Sequence, residues 1–171
     1  MPSPSKFDRA LAIMRIDFGS TPSYRQPVLA RVVIATVLSV IGSLAADAVL
    51  VAIGTHAFPS TKGYVHFQFH DYAKLTIIGI IVACIAWPLV VRISSSPRWL
   101  FLRLAIVVTL VLLLPDLYIL HQGQPFKAVA ILMLMHLGIG VITYNALVRL
   151  APARRRHVNR WFTPTQSEES A

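Results

Sequence analysis

Four long runs of apolar residues dominate the chain, and short polar segments separate them. The runs cover residues 28–54, 72–93, 99–120 and 127–150. Each has about 20 or more residues, which is the length that an α-helix needs to cross a hydrocarbon core of about 30 Å. The runs lack the alternation of apolar and polar residues that is typical of a membrane β-strand. The pattern predicts an all-α integral membrane protein, and the short connections predict an up-down-up-down four-helix bundle.

Composition and charge favour a membrane protein over a soluble protein that binds nucleic acid. Hydrophobic residues make up 56% of the chain and charged residues 13%, whereas a soluble domain carries about 25% charged residues. The net charge of +9 comes from basic residues that cluster in both terminal segments and around residues 92–103. Such a bias marks the cytoplasmic side of a membrane protein. We therefore expect a multi-pass protein of the cell inner (plasma) membrane with cytoplasmic N- and C-termini, bilayer contact and no nucleic-acid partner.

The two terminal segments differ from the membrane domain at residues 28–150. Residues 1–27 are basic, and apolar side chains within 7–18 recur at spacings of four, three and four, which predicts a short amphipathic helix on the membrane surface. Residues 151–171 form a basic tail that is expected to be partly disordered and to attract anionic lipids at the cytoplasmic face. Its predicted membrane-surface residues are Arg154, Arg155, Arg156 and Trp161. Trp87, near the cytoplasmic end of the second span, is expected to anchor that helix at the interface.

Ionisable residues inside the spans are the main candidates for function, because a charged group is costly in lipid and normally faces the bundle interior. Asp47, Asp116 and His136 lie in the outer halves of the first, third and fourth spans, and Lys74 opens the second. Each span also carries one stripe of small and polar residues, which favours close helix packing and interhelical hydrogen bonds. We expect the three buried groups to converge. In a purely structural network, His136 would hydrogen-bond one aspartate and Lys74 would pair with the other.

Several interpretations of this cluster stay open. The leading one is a non-enzymatic protein that binds a ligand, a lipid or a partner subunit through an outer-half polar pocket of Asp47, Lys74, Asp116 and His136. A membrane-protein partner or a homo-oligomer would fit this interpretation. A proton- or cation-coupled transport component would use the two aspartates and the histidine as a relay. A membrane-embedded enzyme acting on a lipid-soluble substrate is a third hypothesis, and a purely structural polar network is the alternative to all three.

The outer loops add further histidines at the mouth of the predicted bundle. His66, His70 and Asp71 lie in the first outer loop, and His121 lies in the second. A helix over residues 66–70 would give two histidines at i, i+4 spacing, which suits a shared metal ion. The alternation of apolar residues 65, 67 and 69 with polar neighbours favours an extended lip instead. A metal ion at this His/Asp cluster is therefore a secondary hypothesis, and no other cofactor is predicted.

Three short segments carry a resemblance to a known group of proteins. They are HDYAKL (70–75), LLPDLYIL (113–120) and LMLMHLGIG (132–140). These segments resemble those of small four-span inner-membrane proteins from high-GC Gram-positive bacteria, whose function is unknown. The resemblance covers residues 28–151 and implies a four-helix membrane domain in which Asp47, Asp116 and His136 are the polar positions. It implies no activity.

Overall fold

Four long helices account for most of residues 24–155, the part of the chain that the computed structural model describes. They are α1 (Leu29–Ala57), α2 (Phe69–Ile93), α3 (Pro97–His121) and α4 (Phe126–Leu150). Each is long and apolar enough to cross a membrane. The all-α prediction of four packed apolar helices is confirmed, and helix length and hydropathy make the chain a multi-pass membrane protein. The predicted surface helix in 1–27, Arg156 and Trp161 lie outside the described residues.

The connections between the helices are short, so successive helices alternate in direction. Residues 58–68 contain two 3₁₀ turns (Pro59–Thr61 and Val65–Phe67) and, together with residues 122–125, form what we call the loop end of the bundle. The extended lip predicted around residue 66 is wrong, because a 3₁₀ turn and the start of α2 occupy that segment. Tyr64 and Phe67 pack against a buried cluster of Tyr72, Ile131, Leu132 and Met135. This packing draws the aromatic side chains towards the bundle.

The opposite end, which we call the terminal end, holds both limits of the described chain. There β1 (Tyr24–Arg25) and β2 (Arg154–Arg155) form a two-residue antiparallel ladder that the hydrophobic pattern did not predict. Trp87 lies beneath it, fully buried, and its indole Nε1 donates a hydrogen bond to the Ala151 carbonyl at 2.8 Å. The prediction that Trp87 is an interfacial anchor is therefore wrong. The residues that follow α4 cover this side chain, and one of them accepts the hydrogen bond from its indole N–H group.

The four helices do not pack evenly around a central axis. α4 has its most extensive contact with α1 and also packs against α3, while α2 packs mainly against α1. A Cβ atom at Gly54 of α1 would overlap the Ile131 side chain of α4, so the glycine lets Ile131 pack directly against the α1 backbone. α2 and α3 make few contacts with each other although only three residues join them. The bundle is therefore open between α2 and α3.

Candidate functional site

The opening between α2 and α3 is a long cavity of about 550 Å³, with α4 as its floor. We call it the α2–α3 groove. It extends from Ala86 and Phe101 near the terminal end to Asp71 and Asp116 near the loop end. Its size lies within the range of about 300–1,000 Å³ that is usual for ligand pockets, and its wall is mainly apolar, as such pockets are.

The stripes of small and polar residues that the sequence shows form much of the groove wall. The wall includes Thr76, Gly79, Ala83 and Ala86 on α2, Ala105, Thr109, Leu112 and Asp116 on α3, and His136, Gly140, Thr143 and Tyr144 on α4. Small residues permit close helix packing, and this occurs between α3 and α4, where a Cβ at Gly140 would lie 2.8 Å from Thr109 Oγ1. Between α2 and α3 the same residue types border open space instead. The expectation that every stripe mediates close contact is therefore wrong for this pair of helices.

Asp116 and His136 form an ion pair at the loop end of the groove. Oδ2 of Asp116 lies 3.0 Å from Nδ1 of His136, and the aspartate is 5% exposed. The same Nδ1 lies 3.0 Å from the Leu132 carbonyl oxygen, which can only accept a hydrogen bond, so that contact requires a hydrogen on Nδ1. With this hydrogen directed at Leu132, Oδ2 of Asp116 has no aligned donor among the described residues. A buried carboxylate oxygen without a donor is costly, and the aspartate that carries it is one of the residues lining the groove.

Asp47 lies behind the groove wall rather than in it. Its side chain is 1% exposed, and its Oδ2 accepts a hydrogen bond of 3.0 Å from Thr76 Oγ1. Thr76 itself lines the groove. The other oxygen, Oδ1, has no hydrogen-bond partner among the described residues. Asp47 and His136 also interact electrostatically, so the three polar groups that were expected to converge do lie near one another.

Lys74 does not join this cluster. Its side chain is exposed, and the ion pairs within residues 24–155 are His136–Asp116 and His70–Asp71. A helix turns about 100° per residue, so Thr76, two residues further on, faces roughly the opposite side of α2. Thr76 faces inward and donates a hydrogen bond to Asp47. The expected pairing of Lys74 with an aspartate is therefore absent from the described part of the chain.

The four residues of the proposed metal site are not brought together either. His70 Nε2 lies 3.1 Å from Asp71 Oδ1; the histidine side chain is 62% exposed and the aspartate side chain 38%. The His66 ring contacts Tyr64 at a centroid distance of 5.3 Å, and His121 ends α3. Across residues 24–155, no three His, Cys, Asp or Glu side chains are arranged to hold a metal ion. His66 and Asp71 instead border the groove.

Tyr64 is a candidate site residue that the sequence did not reveal. Its hydroxyl is buried and has no hydrogen-bond partner in the described structure. Burial, together with the negative charge of Asp116, raises the pKa of this phenol above its usual value. The only sequence signal is its position after Gly63, whose backbone φ of 80° lets the loop turn back over the bundle. Tyr64 therefore adds a second unpaired polar group near Asp116.

Comparison with known proteins gives one match. A family model described as a family of unknown function (DUF6069) matches residues 20–153. No curated protein and no solved structure matches the chain.

Proposed function

Since the chain belongs to DUF6069, a family of unknown function, we propose a function from the groove itself: this four-span membrane protein binds an amphipathic lipid. The hydrocarbon chain of the lipid lies along the α2–α3 groove. Its headgroup donates a hydrogen bond to Asp116 at the loop end. The binding role is non-enzymatic.

One observation carries the proposal. A mainly apolar groove of about 550 Å³ ends at a buried carboxylate oxygen that has no aligned donor among the described residues. Long apolar ligands need such a groove, and a few polar groups at one end orient them. Asp116 lies five residues before the end of α3, which corresponds to a depth of about 8 Å at 1.5 Å per residue. A headgroup at that depth would sit just below the membrane surface.

The charge of the site limits the chemistry of the headgroup. Asp116 Oδ2 lacks a donor, and Asp47 adds a second acid behind the wall. A hydroxyl or ammonium group would supply the missing hydrogen bond, whereas a phosphate or carboxylate would meet like charge. The preferred ligand is therefore a long-chain alcohol, a long-chain amine or a lipid with such a headgroup.

The membrane is the source of this ligand. The groove is open between α2 and α3, and several of its apolar wall residues, including Leu75, Val82 and Val108, are more than half exposed in the isolated chain. In a bilayer these side chains face lipid tails. Hydrophobic burial adds little selectivity there, because lipid is as apolar as the groove. Selection therefore depends on the headgroup contact with Asp116 and His136.

A second candidate function is proton-coupled transport, and Asp47 favours it. A fully buried acid with one unpaired oxygen, linked to the groove through Thr76, is the kind of intramembrane group that takes part in proton relays. Asp47→Asn would abolish proton-coupled flux in proteoliposomes under this hypothesis. Under the lipid-binding hypothesis the same variant retains ligand binding, because Asp47 does not line the groove.

The orientation that goes with the proposal follows the charge bias of the sequence. Basic residues are concentrated at the terminal end, which we propose to be cytoplasmic by the positive-inside rule. The loop end, with Asp116 and His136, then faces outward, and the groove opens into the outer leaflet near its headgroup site. A reporter fused after residue 171 should be cytoplasmic. An external signal would contradict the orientation but not the groove.

The test compares headgroups on one hydrocarbon chain. Full-length protein in detergent is equilibrated with hexadecanol, hexadecylamine or hexadecyl phosphate, and retained ligand is measured by native mass spectrometry. We expect the alcohol and the amine to be retained and Asp116→Asn to weaken them about 10-fold or more, since a hydrogen bond to a charged group contributes about 1.5–3 kcal/mol. Asp71→Asn is the matched control, because it removes another groove-wall carboxylate whose side chain is 38% exposed rather than buried. Equal loss in both variants, or no retention of the alcohol and amine, would refute lipid binding at Asp116.

A further inference from the structure

The terminal end of the bundle carries a second, smaller cavity of quite different character. It has a volume of about 220 Å³ and is lined by Tyr24, Ser96, Pro97, Arg98, Ala153 and Arg155. We call it the arginine pocket. It combines three parts of the chain: β1, the connection before α3 together with its first turn, and β2. Its lining therefore includes two arginines, Arg98 and Arg155.

The positive charge of this region has no acidic partner within the described chain. The acidic residues of 24–155 are Asp47, Asp71 and Asp116. Asp71 and Asp116 pair with histidines at the loop end, and Asp47 forms no ion pair within the described residues. Arg155 Nε donates a hydrogen bond of 3.2 Å to the Tyr24 hydroxyl, which raises the pKa of the guanidinium. That bond fixes the side chain and leaves its two terminal nitrogens as donors for another group.

The pairing of β1 with β2 brings further positive side chains together, and a bound anion would compensate their repulsion. Arg25 and Arg154 are directly opposite each other in the ladder, and like charges at such positions destabilise a sheet. Their neighbours Tyr24 and Arg155 line the pocket, whereas Arg25 and Arg154 do not, as the alternation of side chains along a strand requires. Arg98 and Arg155 therefore line the pocket. Arg25 and Arg154 lie next to it on the other face of the ladder and add to its positive electrostatic potential. An anion bound in the pocket would stabilise the whole ladder.

We infer that the arginine pocket binds a phosphate group, with Arg98 and Arg155 as its charged ligands. A planar guanidinium can give a phosphate two parallel hydrogen bonds. The first turn of α3 begins at Pro97 beside the pocket, and the positive end of the helix dipole adds to the attraction. The pocket lies where a membrane helix reaches the headgroup region, so an anionic phospholipid is one source of the phosphate and a free phosphate ion is another. This site is separate from the groove and does not depend on the proposed lipid-binding function.

The experiment uses full-length protein in detergent micelles and three probes: phosphatidylglycerol, phosphatidylcholine with the same acyl chains, and inorganic phosphate. Binding of each is measured by native mass spectrometry and by the shift in melting temperature. We expect one phosphatidylglycerol to be retained in preference to phosphatidylcholine. The double variant Arg98→Gln with Arg155→Gln should weaken its binding about 10-fold or more, since each basic group near the membrane surface adds to the attraction for anionic lipid. Arg155→Lys keeps the charge but loses the planar fork, so its effect should be intermediate.

Arg154→Gln is the matched control, because it removes the same charge one residue away on the face that does not line the pocket. A much smaller effect of Arg154→Gln than of Arg155→Gln supports the pocket. If inorganic phosphate competes with the lipid at similar concentration, the site recognises the phosphate itself; if it does not, the acyl chains contribute. Equal losses in Arg154→Gln and Arg155→Gln would overturn the proposal in favour of diffuse surface attraction. No preference for the anionic lipid would overturn it as well, since neither a pocket nor diffuse attraction would then be at work. Neither result would affect the prediction for Asp116→Asn.

Discussion

Gly79→Leu tests whether the α2–α3 groove is a binding site or simply a gap between helices. Gly79 lies in the middle of α2 and lines the groove, and a Cβ atom built there meets no atom within 4 Å. The first carbon of a leucine side chain would therefore displace no neighbour, and the other three would extend into the groove. Removing a glycine from a helix interior gains about 0.8–1 kcal/mol, which corresponds to a rise in melting temperature of about 2–4 °C for a chain of this size.

The same substitution should strongly impair ligand binding. Forcing added atoms into a filled site costs about 1–3 kcal/mol, so the affinity for hexadecanol should fall by about 5- to 150-fold. Retention of the alcohol by native mass spectrometry and thermal unfolding in detergent measure the two effects on one preparation. Gly138→Leu is the control, because Gly138 also has open space at its Cβ but does not line the groove. Unchanged binding in Gly79→Leu, or the same loss in Gly138→Leu, would show that the ligand does not occupy the groove.

Three further predictions concern the packing around the site. Trp87→Phe should lower the free energy of unfolding by about 1–3 kcal/mol, because it leaves the buried Ala151 carbonyl without its donor; an unchanged melting temperature would contradict that role. Gly54→Ala should lower the free energy of unfolding by up to about 2 kcal/mol, because overlap with Ile131 costs about 1–3 kcal/mol and replacing a helical glycine recovers about 0.8–1 kcal/mol; thermal unfolding checks this. Tyr64 should ionise above the usual pKa of about 10, so an absorbance titration of wild type minus Tyr64→Phe isolates a late-titrating phenol. The stability that Tyr64 contributes is then present below pH about 10 and is lost as the pH rises through its folded-state pKa.

The four helices could be predicted because their signal is local. A run of about 20 apolar residues predicts a span regardless of its neighbours, and helical spacing placed Thr76, Asp116 and His136 on inward faces that the structure also gives them. The groove was not predictable in this way. A stripe of small residues looks the same in the sequence whether another helix packs against it or not. The short predicted connection between the second and third spans (94–98) suggested contact between these helices rather than separation.

The errors at single residues have a common physical origin. Trp87 was assigned to the interface because the sequence does not reveal that the chain after α4 returns to accept its hydrogen bond. The pairing of Lys74 with an aspartate was considered from charge alone. The helical phase of α2 turns Lys74 outward and Thr76 inward, so Thr76 donates the hydrogen bond to Asp47. Tyr64 was overlooked because a loop aromatic has no periodicity. The contacts of Trp87 and Asp47 join residues that are far apart in the sequence. Patterns within single segments cannot predict such contacts.

The extensive contact between α1 and α4 has a consequence for biosynthesis. α1 is the first of the four helices to be translated and α4 is the last, so α1 waits for its main neighbour while some seventy residues emerge. Its buried face carries Ser39, Ser43 and Asp47, which are poorly suited to lipid. The insertion of α2 reduces the cost of placing Asp47 in lipid, because Thr76 then donates a hydrogen bond to it. A chain truncated before α4 would leave the serines facing lipid, and we expect cellular quality control to recognise and degrade that fragment.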